Sequence, residues 1–408
     1  MFIQKNQSMK RYFYLLLVLF SFVACKDETS KKGTFGYDLA FLKQHHADLV
    51  LLKDPDNGAQ VIVLPAYQGR VMTSTSDGEK GMSYGWINHD LIATGTFSEH
   101  FTALGGEERF WLGPEGGQFS LFFKKGTDFT FDNWYVPKGI DSEPFSLLSS
   151  TDSEAKFEKT MKIENYSGTP FDLKINRTVK LLNQKTIGEL LGISLSSDIG
   201  SVGFQSENIV TNTGSMSWDK QSGLLSMWIL SMLQSNDQTN VVMPYKIGDS
   251  LSLGKIVTDD YFGKLASDRL KIGDGYLLFK ADAKQRSKIG ISPKRALPLA
   301  GSYDAANKVL TIAQFSLPEG AADYVNSTWK LQDKPFEGDA VNAYTDGPID
   351  GKQMGKFYEL ESSSPALSLA PGQNATHMHR TIHLTGPVEK LNEISKKLFG
   401  VGLDQLKF

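Results

Sequence analysis

The chain has 408 residues, of which 40% are hydrophobic and 22% charged, and its formal net charge at pH 7 is −3. This slightly acidic balance argues against a nucleic-acid-binding protein, which needs a basic surface. The single cysteine, Cys25, excludes a disulfide within the chain, so the fold must depend on a hydrophobic core, which a chain of this length can supply.

Residues 1–24 have the pattern of a signal peptide. Three basic residues, Lys5, Lys10 and Arg11, precede an apolar run over residues 12–24 that is too short to span a bilayer. Cys25 follows this run directly. Small residues before a lone cysteine resemble a bacterial lipobox, and the resemblance implies cleavage before Cys25 and attachment of lipid to it.

Residues 25–35 are predicted to form a lipidated tether. The sequence KDETS directly after Cys25 resembles the export signal of Bacteroidetes surface lipoproteins. It implies an outer-membrane lipoprotein that is exposed at the surface or otherwise faces the periplasm, and the alternative is an ordinary cleaved signal peptide. Removal of residues 1–24 changes the net charge to −6. Residues 36–408 show no repeat or Pro-rich linker and are predicted to form a single domain.

Beyond a short predicted helix in YDLAFLKQH (37–45), the pattern is typical of β-strands. FEKTMKIEN (157–165) and FDLKINRTVKLL (171–182) alternate apolar and polar residues with period two, which predicts an antiparallel hairpin. Shorter runs of this kind recur, separated by Gly, Asn, Asp and Pro. Many strands without βαβ alternation predict an all-β sandwich or barrel.

The segment GGEERFWLGPEGGQFSLFF (105–123) is the densest in candidate binding groups. On a strand, Glu107, Arg109 and Trp111 would share one face. A carboxylate, a guanidinium and an indole side by side suit a sugar, whose hydroxyls bind charged groups and whose apolar face stacks on a ring. The alternative is an ion pair beside a core tryptophan. Glu115 lies on a Gly-Pro-Glu-Gly turn, which is suited to presenting a carboxylate.

Further candidate sugar ligands lie in segments that combine aromatic and amide side chains. Trp86 and Asn88 belong to YGWINH (84–89), and Trp134 belongs to FDNWYVP (131–137). Tyr344 and Asp346 share parity in GDAVNAYTDGP (338–348). Ordinary packing is the alternative for each of them.

Two segments near the C-terminus carry the candidate catalytic groups. Glu359 and Glu361 share one face of YELESSSPALSLAPGQ (358–373), and His377, His379 and His383 share one face of NATHMHRTIHL (374–384). If the turn between them forms a hairpin, the carboxylates and imidazoles come from neighbouring strands and face one hollow. The alternative use of the three histidines is a zinc site. Otherwise no cofactor is expected.

The segment GPVEKLNEISKKLFG (386–400) predicts a C-terminal helix. Pro387 suits its first turn and Gly400 its end. Helical spacing is kept by four apolar residues: Val388, Leu391, Ile394 and Leu398.

The order of these motifs resembles a group of bacterial lipoproteins related to the galactose mutarotase-like superfamily. The resemblance rests on LPAYQGRV, GGEERFWLGPEGGQF and YELESSSPALSLAPG followed by the histidine-rich strand, and it covers essentially the whole mature chain. It implies a galactose mutarotase-like β-supersandwich of two large antiparallel sheets, with a carbohydrate cleft on a concave face.

The resemblance also implies a chemistry. In aldose 1-epimerases a late-strand Glu takes the proton of the anomeric hydroxyl and a His protonates the ring oxygen. The resemblance implies that Glu361 or Glu359 corresponds to this Glu. The epimerase histidine motif has no counterpart, so the acid is not carried over from the family. By geometry alone His377, His379 or His383 is a candidate for it, and His383 is also an expected sugar ligand.

These observations predict a carbohydrate-active lipoprotein with aldose 1-epimerase-like acid–base chemistry. Its expected partners are a carbohydrate and, through the lipid, a membrane. Two alternatives stay open: a non-catalytic surface carbohydrate-binding lipoprotein, and a polysaccharide lyase or glycosidase built on the same sandwich.

Overall fold

The computed structural model describes residues 31–408. The predicted signal peptide, Cys25 and most of the predicted tether therefore lie outside the described residues. Within them the chain forms six α-helices and nineteen β-strands. The helices are α1 Phe35–His45, α2 His89–Thr94, α3 Lys138–Asp141, α4 Gln184–Leu191, α5 Ser250–Leu253 and α6 Val388–Phe399. The strands are β1 Val50–Lys53, β2 Gln60–Leu64, β3 Arg70–Thr75, β4 Arg109–Gly113, β5 Ser146–Ser150, β6 Glu154–Glu164, β7 Pro170–Leu182, β8 Gly200–Asn212, β9 Ser226–Leu230, β10 Leu233–Gln234, β11 Thr239–Pro244, β12 Leu270–Ile272, β13 Tyr276–Lys280, β14 Ser287–Ile291, β15 Leu299–Asp304, β16 Val309–Phe315, β17 Val341–Thr345, β18 Phe357–Ser363 and β19 Asn374–Thr385.

The strands are arranged in one large, one intermediate and one small sheet. The large sheet has ten strands in the order β12-β13-β11-β15-β16-β19-β8-β7-β6-β5. The intermediate, six-stranded sheet runs β14-β17-β18-β9-β4, with β10 also paired to β18, and the small one runs β1-β2-β3. All pairings between these strands are antiparallel. The predicted all-β sandwich is confirmed.

The main core lies between the two larger sheets and is built by strand alternation. Phe171, Leu173 and Ile175 on β7 are fully buried and belong to the same apolar cluster as Phe110 on β4 and Ile229 on β9. Complete burial of each such side chain contributes about 1.5–3 kcal/mol. The predicted hairpin is also confirmed, because β6 and β7 pair along their whole length.

The C-terminal helix α6 covers one outer face of the ten-stranded sheet. It begins after Pro387 and ends at Gly400, whose φ of 75° suits glycine, so this prediction is confirmed. Leu391 and Phe399 pack with Ile382 and Leu384 of β19. No helix within residues 31–408 combines the length and apolar character needed to cross a bilayer.

The two C-terminal strands β18 and β19 do not form the expected hairpin. β18 pairs with β17, β9 and β10 in the six-stranded sheet, whereas β19 pairs with β16 and β8 in the ten-stranded sheet. The intervening segment crosses between the sheets, and its backbone bonds elsewhere: the N–H of Ser364 donates to Met227, and that of Leu367 to Leu225. The prediction that the acidic and histidine-rich strands are neighbours in one sheet was therefore wrong.

Candidate functional site

A cavity of about 470 Å³ lies against the face of the six-stranded sheet that points away from the ten-stranded sheet. Alternation places the cavity-facing side chains: on β18 Glu359 and Glu361 line the cavity, whereas Tyr358 bonds to Ser302 of the ten-stranded sheet. The cavity brings together seven of the predicted site residues: Arg109, Trp111, Glu115, Trp134, Tyr344, Glu359 and Glu361.

Glu361 is a carboxylate held by one of its two oxygens. Its Oε2 accepts hydrogen bonds from the indole Nε1 of Trp228 at 2.9 Å and from Nζ of Lys288 at 2.8 Å. Its Oε1 is buried and has no hydrogen-bond partner among residues 31–408. The ammonium stabilises the negative charge, and the free oxygen retains its lone pairs. Glu361 is thus a positioned proton acceptor.

Glu359 lies two residues before Glu361 in a different electrostatic setting. Its Oε1 accepts a hydrogen bond from Nη2 of Arg109 at 3.0 Å. Burial raises the pKa of Glu359 to about 8, opposed by Arg109 and reinforced by the charge of Glu361. Glu359 therefore carries a proton near neutral pH. Environments that push neighbouring carboxyl groups toward different protonation states assign one as acid and the other as base.

Two more carboxyl groups line the same cavity. Burial raises the pKa of Glu115, and the charge of Lys288 opposes the shift. Burial also raises the pKa of Asp339, whose carboxyl accepts a hydrogen bond from the hydroxyl of Tyr261 at 2.6 Å. That hydroxyl in turn accepts from Nδ2 of Asn342 at 3.1 Å. The amide, hydroxyl and carboxyl groups of Asn342, Tyr261 and Asp339 thus form one hydrogen-bonded chain in the cavity lining.

The cavity lining is also rich in aromatic side chains. Trp111 and Trp228 meet edge to face with ring centroids 5.6 Å apart, and Trp134 stacks on Trp329 at 5.9 Å. Nδ1 of His100 lies 2.7 Å from the carbonyl oxygen of Trp134, which can only accept. In neutral His100 the proton is thus on Nδ1, and Nε2 is left as an acceptor.

The backbone that leads into β4 depends on glycine. Gly105 has a φ of 89°, and a Cβ there would lie 2.1 Å from the carbonyl oxygen of Trp86. Gly106 has a φ of 113°, and a Cβ there would lie 2.5 Å from Cδ of Arg70. Only glycine tolerates both the positive φ and the close approach, and this approach sets the start of the strand that carries Arg109.

The three histidines of β19 do share one face, but that face is buried between the two larger sheets. Oγ of Ser362 lies 2.8 Å from Nε2 of His377 and 2.9 Å from Nδ1 of His379. Burial lowers the pKa of both histidines to about 3, so both are neutral in the folded protein. Nε2 of His383 lies 2.6 Å from Oε1 of Glu107.

The expectation that His377 and His379 face one hollow with the glutamates was therefore wrong. The pleat of β18 places Ser362 on the interior face, where it meets the imidazoles, and Glu361 on the cavity face. Within residues 31–408 no group of three or more His, Cys, Asp or Glu side chains is arranged to hold a metal ion. The zinc alternative gains no support from this geometry.

Other predicted sugar ligands also lie outside the cavity lining. Glu107 turns into the interior, where Ser74 and His383 bond to it. Trp86 packs on Phe357, and the Asn88 side chain caps α2. Asp346 accepts a hydrogen bond from Tyr344 at 2.9 Å and so supports a lining residue from behind.

Several lining residues were not recognised in the sequence. Trp228 lies in the apolar run GLLSMWIL, and Lys288 lies in SKIGIS, where a lysine on a strand indicates a solvent-facing position. His100 and Phe262 lie in loops without periodicity, which carry no signal. Arg286 directly precedes β14, and its parity with Lys288 was the one available indication.

Comparison with known proteins supports the fold. Residues 33–408 match the model of a family of unknown function, DUF6786, and the chain belongs to this family. No curated protein sequence matches the chain. The structure is similar to that of the Slr1438 protein from Synechocystis sp. PCC 6803, with a TM-score of 0.50 and 12% identity over 83% of this chain and 96% of that one. This likeness shows a shared fold.

Two further solved structures are similar at lower TM-scores. One is a galactose mutarotase-like protein from Lactobacillus casei ATCC 334, with a TM-score of 0.47 and 11% identity over 82% of this chain and 99% of that one. The other is a galactose mutarotase related enzyme from Lactobacillus acidophilus, with a TM-score of 0.45 and 9% identity over 82% and 97% of the two chains.

Proposed function

We propose that the cavity binds a carbohydrate and that Glu361 and Glu359 transfer protons at its anomeric centre. The observation that carries this proposal is the pair of carboxyl groups on β18. Glu361 has one oxygen held by Trp228 and Lys288 and the other unengaged, and Glu359 beside it is protonated near neutral pH. Ring opening of a sugar requires a base at the anomeric hydroxyl and an acid at the ring oxygen, and these two carboxyl groups face the same cavity.

Binding of a sugar is supported by the shape and chemistry of the cavity walls. Four tryptophans line it, and their flat faces suit the apolar face of a pyranose ring. The carboxyl groups of Glu115 and Asp339 and the amide of Asn342 line the same cavity and can bond to sugar hydroxyls. Ligand cavities commonly combine an aromatic lining with a few convergent polar groups.

The proposed reaction conserves protons. Glu361 takes the proton of the anomeric hydroxyl while Glu359 gives its proton to the ring oxygen. The bond between C1 and the ring oxygen breaks, and the open-chain aldehyde forms. Arg109 stabilises the carboxylate that appears on Glu359. Rotation about C1–C2 followed by the reverse proton transfers closes the ring as the other anomer.

The test is the rate of mutarotation of α-D-glucose and α-D-galactose, followed by polarimetry or NMR. Wild-type protein should accelerate the conversion, and Glu361→Gln should lower kcat by about 100-fold or more, since it removes the base. Glu164→Gln, a change at an exposed carboxylate on β6, is the control and should have no effect.

Two outcomes would redirect the proposal. Saturable sugar binding without any acceleration over the spontaneous rate would favour a non-catalytic carbohydrate-binding protein. Release of unsaturated, ultraviolet-absorbing products from polysaccharides would favour a lyase. Full activity in Glu361→Gln and Glu359→Gln together would remove the assignment of the acid and base.

A further inference from the structure

Among residues 31–408 three cationic side chains line the cavity, and two of them donate a hydrogen bond to a carboxyl group. Arg109 bonds to Glu359 at 3.0 Å, and Lys288 bonds to Glu361 at 2.8 Å. The guanidinium of Arg286 has neither a salt bridge nor a hydrogen bond to any residue in the described part of the chain. It stands over the ring of Phe262, with Cζ 4.0 Å from the centroid.

Arg286 is oriented into the cavity by the strand that follows it. It lies two residues before Lys288, so the two side chains project to the same side of an extended backbone. Its Nε is shielded from solvent and has no hydrogen-bond partner among residues 31–408. A buried donor without an acceptor destabilises the folded state, and an acceptor that enters the cavity would relieve this cost.

The unpartnered buried polar atoms of the cavity lining are mostly donors. Among the lining residues that the structure describes, four N–H groups have no acceptor, against one free acceptor, Oε1 of Glu361. The four donors are Nε of Arg109, Nε1 of Trp111, Nε1 of Trp134 and Nε of Arg286. A neutral hydroxyl both donates and accepts, whereas a carboxylate or sulfate only accepts. The imbalance favours an acceptor-rich, negatively charged ligand.

The carboxyl groups that line the cavity would repel a negatively charged ligand if all of them were ionised, but their raised pKa values weaken this repulsion. Burial raises the pKa of Glu115 and Asp339, and that of Glu359 to about 8. A raised pKa makes a carboxyl group hold its negative charge less readily, so these groups compete less with a negatively charged ligand for the guanidinium and ammonium groups.

We propose that the sugar bound in this cavity carries a single negative charge, as the carboxylate of a uronic acid or as a sulfate ester, and that Arg286 pairs with it. This inference rests on the proposed sugar binding and adds the class of substrate. Arg286 is the one cation of the described cavity lining without a hydrogen-bonded carboxyl partner, and its planar guanidinium matches one carboxylate or sulfate through two parallel N–H bonds. Arg286 and Glu361 line the same cavity, so a sugar bound there can contact both.

The test is isothermal titration calorimetry with D-glucuronate, D-galacturonate and D-glucose 6-sulfate, each against D-glucose and D-galactose. At low salt the monoanionic sugars should bind at least tenfold more tightly, and the advantage should shrink as salt is added. Arg286→Gln should abolish the difference between anionic and neutral sugars. Arg286→Lys should retain part of it, because it keeps the charge but loses the two-bond geometry.

The control is Arg380→Gln, which changes an arginine on the outward side of β19 that bonds to Gln205. It should leave the preference unchanged. Circular dichroism melting curves establish that the Arg286 variants are folded. Equal affinity for neutral and anionic sugars, or a preference that persists in Arg286→Gln, overturns the inference while the proposed sugar binding stands.

Two other outcomes are equally decisive. Tighter binding of D-glucose 6-phosphate than of the uronates and the sulfate would overturn the assignment of a single charge. Failure of every sugar to bind would overturn the proposed function itself, together with this inference.

Discussion

Glu359 is the residue whose behaviour distinguishes this site from a simple acidic cluster. A carboxyl group with a pKa of about 8 can donate a proton at pH 7, which an ordinary glutamic acid cannot. The shift comes from burial, and the Arg109 guanidinium keeps it from rising further. The charged and titratable groups around it are Arg109, Lys288, Glu361, Tyr344 and Asp346.

This pKa predicts the pH dependence of the proposed activity. Below about pH 8 Glu359 retains its proton and can serve as the acid, and above that it is ionised, so kcat should fall as the pH rises through about 8. Glu359→Gln should lower kcat and remove this limb of the profile. The measurement is the rate of mutarotation between pH 6 and 10, corrected for the spontaneous reaction. A variant that keeps the alkaline limb would show that another group controls it.

At the scale of strands, β18 lies between the cavity and the ten-stranded sheet and contributes side chains to both. Its cavity face carries the two glutamates, and Ser362 on its interior face bonds to His377 and His379 of β19. A serine hydroxyl has one proton, so it donates to one imidazole and accepts from the other. Neutral imidazoles satisfy this arrangement when one presents a nitrogen lone pair to the hydroxyl and the other an N–H.

The buried histidines predict that the protein loses stability in acid. Their pKa is about 3 in the folded protein and near 6.5 in the unfolded chain, so the unfolded state binds more protons between these values. The free energy of unfolding should fall as the pH decreases from 6.5 toward 3, by about 1.4 kcal/mol per pH unit for each histidine. It should be unaffected by these groups above pH 7.

Urea unfolding curves at pH 7, 6 and 5 measure this slope, and His377→Gln should make it shallower. A matched control is His45→Gln, because His45 is exposed on α1 and outside the sandwich interior. An identical slope in wild type and His377→Gln would show that other groups cause the acid sensitivity.

The strands themselves could be predicted to a large extent. Period-two alternation in β6 and β7 and helical spacing in α6 are local properties, and both elements are observed where they were expected. The partner of each strand is not a local property. Nothing in residues 364–373 indicates that they cross from one sheet to the other, because their bonds to Leu225 and Met227 join residues more than 130 positions apart.

For the whole molecule, attachment to a membrane through Cys25 remains a prediction that we propose to test. The support is the basic start, the apolar run and the lone cysteine. Expression in a bacterial host with an alkyne-labelled fatty acid should label the protein, and Cys25→Ser should abolish the label and release the protein from membranes. Labelling that persists in Cys25→Ser would contradict lipid attachment at this residue. Protease treatment of intact cells then distinguishes an outward-facing from a periplasm-facing protein.

The sequence by itself determined the all-β class, the main hairpin and the C-terminal helix. It also determined that Glu359 and Glu361 lie on the same face of their strand. Alternation and helical spacing carry this information because they reflect which side chains are buried. The sequence also indicated Arg109, Trp111, Glu115, Trp134 and Tyr344 as lining residues. Only the tertiary structure decided that the histidines of β19 face the interior and that Lys288, Trp228, His100 and Arg286 complete the cavity. The physical reason is that period two states which side chains share a face, whereas which sheet covers that face depends on contacts between distant parts of the chain.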